Sequence, residues 1–218
     1  MSSVLPAPFL FRFALPVPRV DGLPRRSFPW LKLPASCRLL EPSTLEKSST
    51  FADLRVAWNR DGLGLAVEVT GKKLPVFYDV RDPYRSDGLR VWIDTRDTKG
   101  VHHATRYCQH FLVLPLGGGD DGRGALVVPT PVARAREDAK LPDPDDILVG
   151  SSVRKDGYLV ECWLPAATLA GFDPASQPRL GFHAVVEDSE LGAQHLTVGL
   201  PFPVHADPSL WSTLDLRD

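Results

Sequence analysis

The chain of 218 residues has 43% apolar and 24% charged side chains, which provides for one sizeable core and excludes wholesale disorder. Its 21 prolines and 17 glycines leave little room for long helices and count against a helix bundle or a regular α/β repeat. With 25 basic against 27 acidic residues the formal net charge is -2, and no apolar run approaches the ~20 residues that cross a bilayer, so neither nucleic acid nor a membrane is an expected partner.

In chain order, the first signal is a period of two. Phe9, Phe11, Phe13 and Leu15 alternate with Leu10, Arg12 and Ala14, which predicts a strand. Arg12 breaks that apolar patch and no basic segment precedes it, so it does not read as a secretory signal, and the expected location is the cytoplasm. The proline-rich stretch from Pro16 to Pro42 is expected as a long irregular loop. Leu54 to Trp58 and Leu63 to Val69 flank Asn59-Arg60-Asp61-Gly62, and Asp-Gly between β-rich runs predicts a hairpin. Leu89 to Asp94 and Thr105 to Leu114 are the next strands. Gly117 to Asp146 is expected as a mobile excursion with one short strand at Ala125 to Val128. Ile147 to Arg154 and Tyr158 to Leu164 flank Lys155-Asp156-Gly157, a second Asp-Gly hairpin. Pro165 to Leu169 fits one short helix, with proline at its first position and Gly171 beyond its end. Leu180 to Val186, His195 to Leu200 and Leu210 to Leu216 complete the set. Strands spaced by hairpins indicate antiparallel pairing. An all-β, jelly-roll-like antiparallel sandwich over residues 1–218, with one short helix, is the expected fold.

No nucleophile elbow, His-Glu-x-x-His or phosphate loop is present. Gly117 to Gly124 is glycine-rich, but Asp120 and Asp121 would repel a phosphate. The three cysteines, Cys37, Cys108 and Cys162, form no Cys-x-x-Cys pair and read as small buried hydrophobes. His102, His103, His110, Cys108, Asp94 and Asp97 are the densest set of metal-ligating types, at spacings that match no metal motif. Calcium would accept an irregular oxygen cage of Asp94, Asp97 and backbone carbonyls, though nothing specifies it, and no cofactor is expected. Glu187 and Asp188 are adjacent on a strand and point to opposite faces, so they are not a catalytic pair. Asp188 is expected to end the strand and hold a loop.

Several segments resemble family 9 carbohydrate-binding modules and the wider DOMON-like sandwiches. These are Val20-Asp21-Gly22, the Leu54 to Val69 hairpin, Asp87 to Asp94, Gly157 to Pro165 and Asp207 to Leu214. They span nearly the whole chain in the family's order. The resemblance implies a non-catalytic module that holds a sugar between two aromatic side chains. It places the first at Tyr84, three residues before Asp87, and leaves Phe202 and His205 as the rings near the second position. The family's glutamate in the strand that follows Asp87 is replaced here by Arg90, a cationic donor, which points to an acidic sugar, a phosphorylated ligand or no ligand; as a sugar module the chain is expected to take an anionic or reducing-end saccharide. Trp92 shares a face with Arg90 and Asp94, opposite Leu89, Val91 and Ile93, so it points into a ligand groove or under a loop. The expected ligand contacts are Tyr84, Arg90, Trp92 and His205. The alternative is a structural or protein-interaction sandwich that has lost the sugar. Related sandwiches hold haem, but no axial pair is recognisable here. Trp58 and Trp163 are expected in the core, Trp211 over a sheet edge and Trp30 across an open end.

Overall fold

The computed structural model describes residues 13–39, 50–197, 199 and 202–218. Eleven strands are described: β1 (Ala14–Pro18), β2 (Ala52–Asn59), β3 (Gly62–Thr70), β4 (Gly88–Asp94), β5 (Cys108–Gly118), β6 (Gly124–Thr130), β7 (Leu148–Arg154), β8 (Gly157–Pro165), β9 (Arg179–Asp188), β10 (Gly192–His195) and β11 (Ser212–Arg217). They form two sheets. The larger runs β1-β11-β9-β4-β5-β6, with β10 paired to β9, and the smaller runs β2-β3-β8-β7. All pairs are antiparallel except β1 with β11, which is parallel.

Both Asp-Gly signals are tight hairpins, β2–β3 and β7–β8. Glycine is needed there for space. A Cβ on Gly157 would lie 1.9 Å from the Val69 carbonyl oxygen, and one on Gly62 would lie 2.3 Å from that of Leu164. The inward faces of the two sheets interleave. Val56, Leu65, Val67, Val91, Phe111, Tyr158 and Phe182 meet in one core with little or no exposure. Each such side chain stabilises the fold by about 1.5–3 kcal/mol relative to leaving it in water.

Several expectations need revision. Pro165 closes β8, and only one 3-10 turn follows, Ala166–Thr168, in place of the expected helix. Ala166 O accepts the Leu169 amide, and the Thr168 hydroxyl donates to Pro165 O just before the turn. The first half of the expected excursion is a hairpin, because β5 extends to Gly118 and β6 pairs against it. The penultimate strand begins earlier than expected and ends at His195, while Val198 and Leu200 lie outside the described residues. Phe9 to Arg12 and Leu40 to Pro42 also lie outside them. The described part of the proline-rich connection after β1 is irregular, yet it supplies Leu23, Leu31, Leu33 and Cys37 to a second apolar layer over Trp163. Trp163 therefore packs on the outer face of the smaller sheet. Trp30 lies against Gly150 on that sheet and does not cap an end. All three cysteines are buried free thiols.

The outer face of the larger sheet carries the candidate site. Every residue of β4 is buried, including the outward set Arg90, Trp92 and Asp94. Loops cover that face. Trp92, Cys108, Val132, Val185 and Trp211 form a third apolar cluster on it, so Trp211 is buried there and does not shield an edge.

Candidate functional site

Strand register brings the site together. Trp92 stands between His110 on β5 and His183 on β9, and Arg90 stands between Leu112 and Val185. His195 on β10 lies opposite Val185. Side chains two apart on a strand share a face, so these groups tile the outer surface of the sheet. The Trp92 and His110 rings stack at 4.3 Å with an interplanar angle of 2°. His183 lies 5.6 Å from the Trp92 ring and 6.0 Å from that of His195.

A cavity of about 560 Å³ opens above this floor, within the ~300–1,000 Å³ usual for small-molecule sites. Tyr84, Arg90, Trp92 and His205, the four residues expected from the sequence, all border it. Tyr84 comes from the β3–β4 connection, on a 3-10 turn (Pro83–Arg85) that Asp82 caps by accepting the Tyr84 amide. Its ring is at the rim, 45% exposed, and its hydroxyl lies 3.3 Å from His110 Nδ1. Phe202, Val204 and His205 come from the β10–β11 connection, which is held where Trp211 Nε1 donates to the Val204 carbonyl at 2.7 Å.

Arg90 is 8% exposed. Its Nη2 donates to the carbonyls of Tyr84 and Ser86, fastening the loop that carries Tyr84. Its Nη1 has no hydrogen-bond partner and lies 3.8 Å from Glu187 Oε1. Burial lowers the guanidinium pKa, and the nearby Glu187 partly offsets this. The imidazoles of His110 and His183 are held neutral. Burial, with Arg90 and His205 adding repulsion, pulls His110 down to about 3. Burial, with His195 adding to it, does the same to His183. His110 Nδ1 is 2.7 Å from the Thr130 hydroxyl, and Nε2 has no partner.

Glu187, His110 and His195 also line the cavity and were missed as contacts. The signal for Glu187 lay in its alternation with Asp188. The two do face opposite ways, Glu187 into the cavity and Asp188 into a buried ion cluster. Lys72 Nζ lies 2.6 Å from Asp188 Oδ2 and 3.0 Å from Asp87 Oδ2, with all three side chains shut from solvent. Asp188 also accepts the amides of Glu190 and Leu191. Asp87 accepts those of Phe77 and Ser189. The cluster therefore ties the Tyr84 loop to the turn that follows Glu187.

The expected metal-ligating set does not converge. Asp94 accepts the amides of Arg96 and Thr98, and Asp97 accepts the Thr213 hydroxyl and pairs with Lys99. Both carboxylates suggested for calcium are thus committed to closing the β4–β5 loop. Cys108 is in the apolar cluster, His103 bonds the Arg134 carbonyl, and no group of three ligating side chains meets among the described residues. His102, Asp207 and Ser209 do meet, but Asp207 and Ser209 both contact His102 Nδ1, which leaves no relay through the ring.

No protein-family model matches the chain, and no curated protein matches it. Solved structures do match. A family 9 carbohydrate-binding module from Caldicellulosiruptor kristjanssonii in complex with cellotriose superposes with a TM-score of 0.61 at 15% identity, over 94% of each chain. A family 9 module from the same organism in complex with glucose gives 0.59 at 16% identity, over 94% of this chain and 96% of that one. The fold is that of the family 9 carbohydrate-binding modules, and at this identity the likeness establishes the fold alone.

Proposed function

We propose that this protein is a non-catalytic carbohydrate-binding module and that its cavity holds the end of a saccharide, anionic or reducing-end, against Arg90. The observation that carries the reading is Arg90 Nη1, a buried cationic donor without a hydrogen-bond partner at a cavity with an exposed tyrosine on its rim. Rings at the mouth offer flat faces to the C–H face of a pyranose, and the charged donor orients an oxygen. Glu187 supplies the acceptor that Arg90 displaced from its own position, so a vicinal pair of hydroxyls could bridge the two.

Calorimetry against neutral and uronic-acid oligosaccharides tests this. Tyr84→Ala is expected to weaken binding about tenfold or more with the melting temperature kept, since the ring is half in water. Glu187→Gln removes the negative charge beside Arg90 that would repel an anionic ligand, and is expected to tighten that ligand several-fold while leaving the neutral one unimproved. Unchanged binding in Tyr84→Ala would sink the reading. The second reading, an interaction sandwich that has lost its sugar, draws on Leu74, Phe77 and Val80, which are exposed on the same connection as Tyr84. It expects no saccharide binding at all and self-association by light scattering.

A further inference from the structure

We infer that the occupant of the cavity is amphiphilic: a sugar joined to an apolar aglycone, with the sugar at the Arg90–Glu187 end and the aglycone at the Trp92 end. The inference rests on the saccharide reading above and adds what the sugar is attached to.

The floor of the cavity is graded along the strands. Glu187 is paired with Gly88 at the start of β4, and Arg90 follows two residues on. These two groups carry the charge of the floor, and both have hydrogen-bonding capacity facing the cavity. Trp92 comes about 7 Å further along the strand and opens onto Cys108, Val132 and Trp211, while Val185 of the same cluster is paired with Arg90. The walls follow the same gradient. Thr130 pairs with His110, so Pro131 and Ala133 continue past it toward the Trp92 end. Val204 is bonded to Trp211, which places its wall at that end as well. His110 faces the same space as a neutral ring stacked on Trp92.

A bare oligosaccharide would find His110 Nε2 as a polar partner at that end, but its other hydroxyls would lie against Pro131, Ala133 and Val204, where they would lose water without gaining partners. An alkyl or aryl group there meets apolar surface instead and gains on every methylene it buries. The cavity has room for both parts, since its 560 Å³ exceeds what one pyranose ring fills.

The test is calorimetry on the full chain with matched pairs: methyl and octyl β-glucoside, methyl and octyl β-glucuronide, all below micelle concentrations, with octanol as the headless probe. The expected result is that within at least one pair the octyl compound binds tenfold or more tighter than the methyl one, and that octanol binds far more weakly. Ala133 is exposed, so Ala133→Glu leaves the fold intact, and it is expected to narrow the octyl-to-methyl ratio severalfold. Methyl and octyl glycosides of equal affinity would overturn the inference and leave the saccharide reading standing. Octanol binding as tightly as the octyl glycosides would overturn both, because the head group would contribute nothing. Binding by none of the glycosides would also overturn both.

Discussion

Lys72→Ala is expected to lower the unfolding free energy by about 3–5 kcal/mol, the range for removing one partner from a buried ion cluster. The side chain of Lys72 is 1% exposed and those of Asp87 and Asp188 are 0% exposed, so neither carboxylate can recover water when the ammonium goes. Both would stay behind, held in place by the amides they accept from Phe77, Ser189, Glu190 and Leu191. Urea denaturation measures the loss as a fall in midpoint at unchanged slope. A loss below about 1 kcal/mol, the size of an exposed pair, would mean that water reaches the cluster. The same ammonium sets an alkaline limit. Burial lowers its pKa, but the bonds to Asp188 and Asp87 raise it by more, so the net value lies above the ordinary lysine value. A lysine raised on folding contributes stability that is complete below its unfolded pKa, about 10.4, and is lost as pH rises through the folded value.

The architecture was legible wherever a local pattern dictated it. Alternation in Leu89-Arg90-Val91-Trp92-Ile93 fixes which face each side chain takes once the segment is extended, and the Asp-Gly pairs fix both hairpins. Arg90, Trp92 and Tyr84 could be placed near one another because β4 and the loop before it carry them, whereas His205 comes from the β10–β11 connection and followed from the family resemblance. The remainder depends on partners far away in sequence. Nothing local in Gly71-Lys72-Lys73 separates a buried lysine from a solvated one, because the two carboxylates that bury it lie 15 and 116 residues away. His110 read as a metal ligand or a core residue, since its stacking on Trp92 exists only after β5 pairs with β4. The same holds for Gln194, whose side chain takes the amides of Phe51 and Ala52 and returns a bond to the Ala52 carbonyl, joining the two sheets. The parallel pairing of β1 with β11 joins opposite ends of the chain and leaves no short-range mark.

Acidification from pH 7 to pH 5 is expected to cost the folded state about 4 kcal/mol through His110 and His183 alone. At pH 7 both rings are neutral whether the chain is folded or unfolded. Below the unfolded value of about 6.5 the unfolded chain takes up protons that the folded chain refuses until about 3, so stability falls as pH falls through that window. Each ring contributes about 1.4 kcal/mol per pH unit once well below 6.5, hence about 2 kcal/mol apiece at pH 5. Two carboxylates add little to this loss. Asp173, lowered by its Ser176 bonds, and Glu190, lowered by the Leu74 and Lys73 amides, titrate below the ordinary carboxylate range. Denaturation curves at pH 7, 6 and 5 give the slope directly. His183→Gln removes one of these titrations, and whatever it does to stability at pH 7, the difference between pH 7 and pH 5 is expected to shrink by about 2 kcal/mol. A wild-type protein equally stable at pH 7 and pH 5 would mean that protons reach these rings in the folded state, and with them water. The dry floor on which an apolar aglycone is to rest would then not exist.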